Sequence, residues 1–389
     1  MHNKSVKQAI YFDILTEDAT INVPADFPTI QAALDSLNNT FIPADIRVKI
    51  LVEGVYAQDK VIYVDHVQGD RISIHGQEPV QYEITGYSRT ANNISFTLDD
   101  AAGLAVGDVV LIENVDGTGH YHAIYGSYLV TAMSGDTITV IDQLRHPVPG
   151  LDQVTITSGS LCKLSTIIIC SDCGGIHVAH GSALGELAHI AFIGDGSQRP
   201  SEKVYGHNGI EAGVGSRIYL RGWTVAMGFG DFGCSISGNG TFADLYRGVF
   251  CQNVKHGLII TEGAGVAVHE GILVVCQNGD HGVIASGIAQ GCMVNYLVAV
   301  GNQNAGFINF GANVIINFCV LSHNLYGLIA ERTAYVDAKQ SGIYANQNDD
   351  VYASHGAIVD AIGVGGYLVQ PKFNPPINTL GNVNGYIMG

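Results

Sequence analysis

Charged residues are scarce in this sequence of 389 residues, and basic residues are the scarcest. Only 14% are Asp, Glu, Lys or Arg, and 18 Lys and Arg against 35 Asp and Glu give a formal net charge of −17. Binding to nucleic acid or to an anionic membrane needs basic patches, so we expect neither kind of partner. An acidic glycan is not excluded, because a few arginines suffice to bind its carboxylates.

Long apolar runs and nucleotide-binding loops are also missing. No stretch reaches the roughly 18 apolar residues of a membrane helix. Residues 1–4 lead into a polar stretch without the apolar core of a signal peptide, so we expect synthesis in a cytoplasm and no membrane insertion. Without a P-loop, or a GxGxxG between a strand and a helix, nucleotide use is not expected.

The eight cysteines lie mainly in apolar strands and lack the spacing of a small disulfide scaffold. Cys170 and Cys173 form one isolated CxxC. Zinc binding or redox chemistry is one interpretation of this motif, and a purely structural position at a turn or in a stack of side chains is the other. The structural interpretation is favoured. His120 and His122 share a strand face without a third ligand, so we expect no metal and no cofactor.

Glycine is abundant by contrast, with 49 residues, and it recurs at a regular interval from residue 175. An apolar segment opens after each of Gly175, Gly209, Gly233, Gly257, Gly282, Gly306, Gly327 and then Asp350. After one longer first interval the spacings are 24, 24, 25, 24, 21 and 23 residues, a period that marks a solenoid. Because the helices of leucine-rich repeats are missing, we predict an all-β, right-handed parallel β-helix.

Two residues of each repeat are predicted to face the core, because strand residues two apart share a face. The first column is Ile176, Ile210, Cys234, Leu258, Val283, Phe307, Leu328 and Val351. The second is Val178, Ala212, Ile236, Ile260, Ala285, Asn309, Ala330 and Ala353. Asparagines that precede the glycines, at Asn253, Asn278 and Asn302 with Asn324 one place off, predict a structural side-chain amide ladder at a turn.

The residue between these two columns is predicted to point outward. It is polar in the early repeats, as His177, Glu211 and Ser235, and apolar in the later ones, as Ile259, Ile284, Ile308 and Ile329. Four stacked, exposed isoleucines would be a costly patch on a monomer. We therefore predict a subunit interface along the C-terminal half of the solenoid.

Further segments flank and interrupt the solenoid. We divide the chain into an N-terminal segment (1–22), a capping helix with the first rungs (23–78), an inserted small antiparallel β-domain (79–150), the main β-helix (151–370) and a closing segment (371–389). The cap is predicted from a helix start at residues 28–29, followed by apolar residues on one face. The insertion is predicted from alternating strands around a hairpin turn at residues 135–136.

Three stretches resemble bacteriophage tailspike or tail-fibre polysaccharide depolymerases with a pectate-lyase-like β-helix. They are FPTIQAALD at 27–35 with VEGVY at 52–56, DHVQGDRISIHG at 65–76, and NPPINTLGNVNGYI at 374–387. The resemblance implies a homotrimer in the virion tail, in contact with other phage tail proteins, that binds a bacterial surface polysaccharide and often cleaves it. Catalytic residues in this family follow no shared motif, so none is carried over.

Candidate site residues are the outward positions of neighbouring rungs, which lie ~4.8 Å apart. The predicted catalytic set is Asp244, Glu270, His269, Tyr246, Arg247 and Arg221. The predicted substrate-binding set is Trp223, Tyr219, Asp231 and Tyr296. Each member alone is equally well explained as solvated surface, and their convergence is what favours a groove.

Two reactions fit this set. Hydrolysis needs two carboxyls, about 5–5.5 Å apart for retention or about 6.5–9.5 Å for inversion, and Asp244 and Glu270 on neighbouring rungs suit the wider spacing. β-Elimination needs a base beside a uronate carboxyl, for which His269 or Tyr246 would serve with an arginine on the carboxyl. The alternatives to a depolymerising tailspike are a non-catalytic glycan-binding or structural tail protein, and a free-standing bacterial polysaccharide lyase.

Two features compete with this groove. A second polar column precedes the glycines, with Asp231, then Lys255 and His256, then Asp280 and His281. Corner structure explains that column better than chemistry, because turn residues before glycine are commonly polar. Trp223, the single tryptophan, either stacks on a sugar or packs in a core or interface.

Overall fold

The computed structural model describes residues 13–90, 93–119, 121–141, 154–179, 181–196, 207–268, 271–287, 291–365, 370–379 and 385–389. It confirms the predicted class, a right-handed parallel β-helix. The described residues contain one α-helix. Successive turns of the solenoid contribute strands to three parallel sheets, which we name A, B and C.

The three sheets run the length of the solenoid. Sheet A consists of Ala19–Val23, Val48–Val52, Ile72–His75, Ala183–Ala188, Arg217–Leu220, Phe242–Leu245, Gly265–Val268, Cys292–Val294, Asn313–Ile315, Tyr335–Asp337, Ile358–Asp360 and Tyr386–Met388. Sheet B consists of Val55–Gln58, Ile167–Cys170, Ile190–Gly194, Thr224–Met227, Gly248–Cys251, Leu273–Cys276, Leu297–Val300, Val320–Ser322 and Gly342–Tyr344. Sheet C consists of Ile62–Val64, Ile176–Val178, Ile210–Ala212, Phe232–Ser237, His256–Thr261, Val283–Ser286, Ala305–Phe310, Tyr326–Glu331, Val351–Ala353 and Phe373–Asn374. Outside these sheets, Asp13–Ile14 pairs with Thr40–Phe41, and Gly69–Arg71 and Tyr121–Ile124 are 3₁₀ helices.

A short helix covers the N-terminal end of the solenoid, as predicted. It spans Ile30–Ser36, and the Thr29 hydroxyl caps it by accepting a hydrogen bond from the Ala32 amide at 3.1 Å. The Gln31 side chain acts as a strand partner for Tyr63, accepting from its N–H at 2.7 Å and donating to its carbonyl at 3.4 Å. The helix therefore shields both the apolar core and one open sheet edge.

The inserted antiparallel domain is confirmed as a closed barrel, placed between the sheet A strand Ile72–His75 and the sheet B strand Ile167–Cys170. Its strands close in the order Val109–Thr118, Gly126–Ser134, Thr137–Ile141, Asn93–Leu98, Val80–Arg89 and Thr155–Leu164. The last of these lies beyond residue 150, where the sequence placed the end of the insertion, because it pairs with two barrel strands and closes the ring. The five-segment division itself stays a prediction.

Sheet B is buried on both faces over its four strands from Thr224–Met227 to Leu297–Val300. Its inner face joins the solenoid core through residues such as Phe250, and its outer face packs against the barrel through residues such as Val249. Burial on both sides explains why these strands are continuous apolar runs. On the outer face a disulfide joins Cys251 and Cys276, which are paired directly on neighbouring strands, although the cysteine spacing had not indicated a disulfide scaffold.

The predicted amide ladder is confirmed at the corner between sheets B and C. Each Nδ2 donates to the Oδ1 of the next rung at 2.9–3.2 Å, from Asn253 through Asn278, Asn302 and Asn324 to Asn346. The last amide donates at 2.8 Å to Asp350, and burial raises the pKa of that carboxyl. A Cβ on Gly257 would lie 2.7 Å from Asn278 Nδ2, so the glycine column makes room for the amides.

Both predicted inward columns of sheet C are buried in the solenoid core. Asn309, their only polar member, is satisfied there, since its Nδ2 donates to the Ala312 carbonyl at 2.9 Å. Such local pairing is what lets a polar side chain occupy an apolar stack.

The isoleucine column of sheet C is less exposed than the sequence predicted. Ile308 and Ile329 are only 5% and 8% exposed, because they cluster with Ile284 and Tyr326 on the outer face. Ile259 and Ile284 are half-buried. The expectation of four exposed isoleucines is therefore wrong, and the subunit interface stays a prediction.

Candidate functional site

A column of side chains follows the corner between sheets A and B. Trp223, Arg247, Ile272, Tyr296 and Phe318 occupy equivalent positions on successive rungs, just before the sheet B strands. The Arg247 guanidinium lies over the Trp223 ring, 5.4 Å from its centre, and the Tyr296 and Phe318 rings stack at 5.5 Å. We call this set the corner column.

The barrel supplies part of the lining of a cleft at this column. The cleft has a volume of about 430 Å³ and is lined by Glu113, Asn114, Trp223, Tyr246, Arg247, Gly271, Ile272 and Tyr296. Its volume lies within the range of small-molecule sites, about 300–1,000 Å³. Four predicted site residues, Trp223, Tyr246, Arg247 and Tyr296, are thus brought together here.

Trp223 combines burial with an unused hydrogen-bond donor. The residue is 4% exposed, and among the described residues no acceptor lies within hydrogen-bonding distance of its Nε1–H. Its ring packs with the apolar interface between the barrel and sheet B. Leaving a buried donor unpaired costs about 1–3 kcal/mol, so a ligand acceptor that reaches it would recover free energy.

Glu113 and Asn114 belong to the barrel strand Val109–Thr118 and were missed by sequence reasoning. The Glu113 carboxylate is 3% exposed and accepts hydrogen bonds from the Cys162 thiol at 2.7 Å and the Gln81 amide at 3.3 Å. Burial, together with this contact, raises the pKa of the Cys162 thiol well above its usual range. The buried Glu113 carboxyl and the Arg247 side chain therefore line the same cleft.

Asp244 lies on sheet A, opposite Tyr219 on the neighbouring strand. Its carboxylate accepts from the Arg221 guanidinium at 2.8 Å, and that guanidinium also lies 5.4 Å from the centre of the Tyr219 ring. Asp244, Arg221 and Tyr219, all predicted site residues, therefore form one group on the outer face. Asp244 lies two positions before the cleft residue Tyr246 in the sequence. The arrangement holds one carboxylate beside one cation.

Other predicted residues fall elsewhere. His269 and Glu270 lie outside the described residues. Asp231 follows the sheet B strand, at the opposite corner from the cleft, and forms an ion pair with Lys255. The structure therefore does not bring Asp231 together with the corner column.

Two histidine–carboxylate pairs, absent from the predicted set, lie on earlier rungs of the same faces. His75 Nε2 is 3.5 Å from Glu186 Oε1, and His189 Nε2 is 3.2 Å from Glu78 Oε2. Burial lowers the pKa of His75 to about 4 and also lowers that of His189. Both imidazoles are therefore neutral at neutral pH. No periodic sequence signal singles them out, because Glu78 belongs to the segment leading into the barrel.

Left-handed backbone recurs at this corner and does not mark chemistry. Tyr296 has a φ of 55°, but His189, Phe318 and Gln340 at equivalent positions have φ values of 59°, 58° and 56°. Since the conformation recurs on four of the rungs at this corner, although not at Trp223, Arg247 or Ile272, it belongs to the turn. Asn114, with a φ of 50°, is a separate instance on the barrel wall, where asparagine tolerates the conformation.

Across the described ranges, no group of three or more His, Cys, Asp or Glu side chains is arranged to hold a metal ion. Of the predicted pair His120 and His122, only His122 belongs to the described residues. No helix in the described part of the chain is long and apolar enough to cross a membrane.

These features define a parallel β-helix with an inserted barrel and a cleft between them. No protein-family model and no curated protein matches the chain. Among solved structures it is similar to the Gp54 tailspike of Acinetobacter baumannii bacteriophage AP22, determined in complex with A. baumannii capsular saccharide. The sequence identity is 10%, the match covers 81% of this chain and 60% of that chain, and the TM-score is 0.22. It is also similar to the tailspike protein gp49 from Pseudomonas phage LKA1, with 13% identity, coverage of 86% and 69%, and a TM-score of 0.20. Because these TM-scores are low, neither likeness carries an argument about this chain.

Proposed function

We propose that this chain is a phage tailspike that binds a bacterial surface polysaccharide, capsule or lipopolysaccharide, in the cleft between the barrel and the corner column. The observation that carries the proposal is the joint lining of one cleft by Trp223, Tyr246, Arg247 and Tyr296, which come from three of four successive rungs. Aromatic faces suit the apolar faces of sugar rings, and guanidinium and indole N–H groups donate to their oxygens. Rungs ~4.8 Å apart would engage consecutive parts of a linear polymer.

Cleavage of the bound glycan is the further part of this proposal. For β-elimination, Tyr246 would take the proton beside a uronate carboxyl while Arg247 holds that carboxyl. For hydrolysis, Asp244 would supply one of the two carboxyls that the reaction needs. The two routes differ in product. Elimination leaves a new C=C bond that absorbs ultraviolet light at about 235 nm, whereas hydrolysis leaves only new reducing ends.

A non-catalytic glycan-binding tail protein is the second candidate, and one contact favours it. The Asp244 carboxylate is held by Arg221 at 2.8 Å, an ion pair that engages the carboxyl instead of leaving it free for proton transfer. A free-standing bacterial polysaccharide lyase remains the third reading, which the same product assays would address.

The deciding experiment measures glycan binding and cleavage separately, on purified capsule and lipopolysaccharide fractions. Asp244→Asn should abolish hydrolysis while binding is retained. The matched control is Asp337→Asn, because Asp337 also faces out from sheet A and pairs with a cation, Lys339, at 3.2 Å. If native protein binds glycan but produces no oligosaccharide, the non-catalytic reading replaces the depolymerase. If no fraction binds, the tailspike proposal fails.

Assembly into a homotrimer, with attachment to other phage tail proteins in the virion, completes the proposal. Its support is the apolar outer face of sheet C, where Ile259 and Ile284 remain half-buried beside the small cluster around Ile308 and Ile329. A second and third copy would cover those side chains.

A further inference from the structure

A second cleft lies at the N-terminal end of the solenoid, away from the corner column. It has a volume of about 610 Å³, and its lining is contributed by the capping helix, the first rung and the corner that follows Ile167–Cys170. Cys173 lines this cleft. It is the second cysteine of the CxxC, which the glycan-binding proposal does not use.

The two cysteines of this motif are held together by one residue of the preceding rung. The Gln58 side-chain amide donates to Cys170 Sγ at 3.4 Å, and the Gln58 carbonyl accepts from Cys173 Sγ at 3.5 Å. The two thiols also lie close enough for each to alter the pKa of the other. Between them the chain turns through Asp172, whose φ of 51° is left-handed. The sulfur atoms are therefore neighbours before any bond forms.

The two thiols differ in reactivity. The Cys170 thiol lowers the pKa of Cys173, whereas the Cys173 thiol and burial raise the pKa of Cys170. Since the thiolate is the attacking species in disulfide exchange, Cys173 is the entry point and Cys170 the resolving thiol. Cys173 lines the cleft, whereas Cys170 is fully buried.

We propose that Cys170 and Cys173 form a redox-active dithiol that low-molecular-weight disulfides such as glutathione disulfide convert to an intramolecular disulfide. Cys173 sulfur attacks one sulfur of the reagent, whose S–S bond breaks and releases one thiolate that takes a proton. Cys170 then loses its proton and attacks Cys173 sulfur, displacing the second reagent thiolate. In sum two protein thiols are oxidised by two electrons, and one reagent disulfide is reduced to two thiols.

The closed loop contains only a few residues, so its effect on chain entropy is small. The reaction should therefore be detected chemically, not by a change in melting temperature. The buried cysteines Cys292 and Cys319 are internal controls, because burial raises the pKa of each to about 12 and neither lines this cleft.

The test exposes native full-length protein to glutathione disulfide, alkylates the remaining thiols after denaturation, and maps the peptides without reductant. The expected result is a Cys170–Cys173 link, seen as a loss of two hydrogens, with Cys292 and Cys319 alkylated. Cys170→Ser should instead accumulate a glutathione adduct on Cys173, several-fold above native protein. Cys173→Ser should leave Cys170 unmodified.

Two outcomes overturn the proposal. In the first, Cys170 and Cys173 in native protein stay as fully alkylated as Cys292 and Cys319. In the second, Cys173→Ser reacts at Cys170 as fast as native protein does, which removes the assigned entry point. The native-protein arm decides the question even if a variant folds poorly.

Discussion

The Arg247 guanidinium lies 5.4 Å from the centre of the Trp223 ring, one rung away along the corner of the solenoid. A cation over an aromatic face is worth about 0.5–1 kcal/mol at exposed sites and more when desolvated. The contact holds both side chains at the edge of the cleft that the barrel helps to line. It leaves the indole N–H without an acceptor among the described residues.

Trp223→Phe should weaken glycan binding by about fivefold while leaving the fold intact. The substitution keeps an aromatic ring in the barrel interface but removes the N–H, and one hydrogen bond contributes about 1 kcal/mol. Calorimetric titration with the bound glycan measures the change. Tyr335→Phe, which also removes a polar hydrogen from an exposed ring on sheet A, is the control and should bind as native. Equal glycan affinity of Trp223→Phe and native protein would contradict the assignment of the Trp223 indole N–H as a hydrogen-bond donor to the glycan.

Asn278→Ala should lower the free energy of unfolding by about 3 kcal/mol, because it removes hydrogen-bond partners from buried polar groups on both neighbouring rungs. The backbone N–H and the Nδ2 of Asn253 both lose Asn278 Oδ1 as an acceptor, and Asn302 Oδ1 loses one of its two donors. Urea unfolding measures the loss. Asn313→Ala changes an exposed asparagine of sheet A and should stay within about 0.5 kcal/mol of native protein. A loss for Asn278→Ala no larger than that of the control would show that the ladder does not stabilise the solenoid.

Acid should destabilise the protein between pH 6.5 and about 4, through His256. Its Nδ1 accepts from the His281 backbone N–H at 3.2 Å, and burial lowers its pKa from 6.5 to about 4. The unfolded chain therefore binds a proton that the folded chain does not, so the free energy of unfolding falls as the pH falls, by about 3 kcal/mol at most for this group. His256→Asn keeps an acceptor without the titration and should flatten the curve of urea midpoint against pH. An unchanged slope in that variant would assign the effect to other groups, among them His75.

The double substitution Ile259→Ser with Ile284→Ser should convert an assembled protein to monomer, because both half-buried side chains lie on the outer face proposed for the interface. Light scattering coupled to size exclusion gives the mass at micromolar concentration. Ile358→Ser removes an exposed isoleucine from sheet A and should not change the mass. Native protein that is monomeric in this measurement would remove the proposed interface altogether.

Periodic features of this protein were readable from its residues. Gly257 and Asn278 recur with the rung, because each Asn amide occupies the space beside a glycine of the preceding rung. The capping helix was readable as well, since Thr29 offers a cap and the apolar residues share one face. Local chemistry and a constant period carry such predictions without any knowledge of distant contacts.

The candidate site was only partly readable. Tyr246 and Arg247 were found because they lie at outward or corner positions of the repeat, and the cleft does contain them. Glu113 and Asn114 were not found, since their place at the cleft depends on how the barrel packs against sheet B. The exposure of Ile308 and Ile329 was misjudged for a related reason, because neighbouring aromatic side chains on the same face cover them.

The sequence by itself determined the solenoid, its inward stacks, its amide ladder and its cap, because each depends on spacing along the chain. Only the tertiary structure decided what stands at the corner column: a barrel inserted between Ile72–His75 and Ile167–Cys170 that folds back on sheet B and brings Glu113 to the cleft. The physical reason is that burial of the outer face of sheet B, and not any local propensity, sets the position of the barrel.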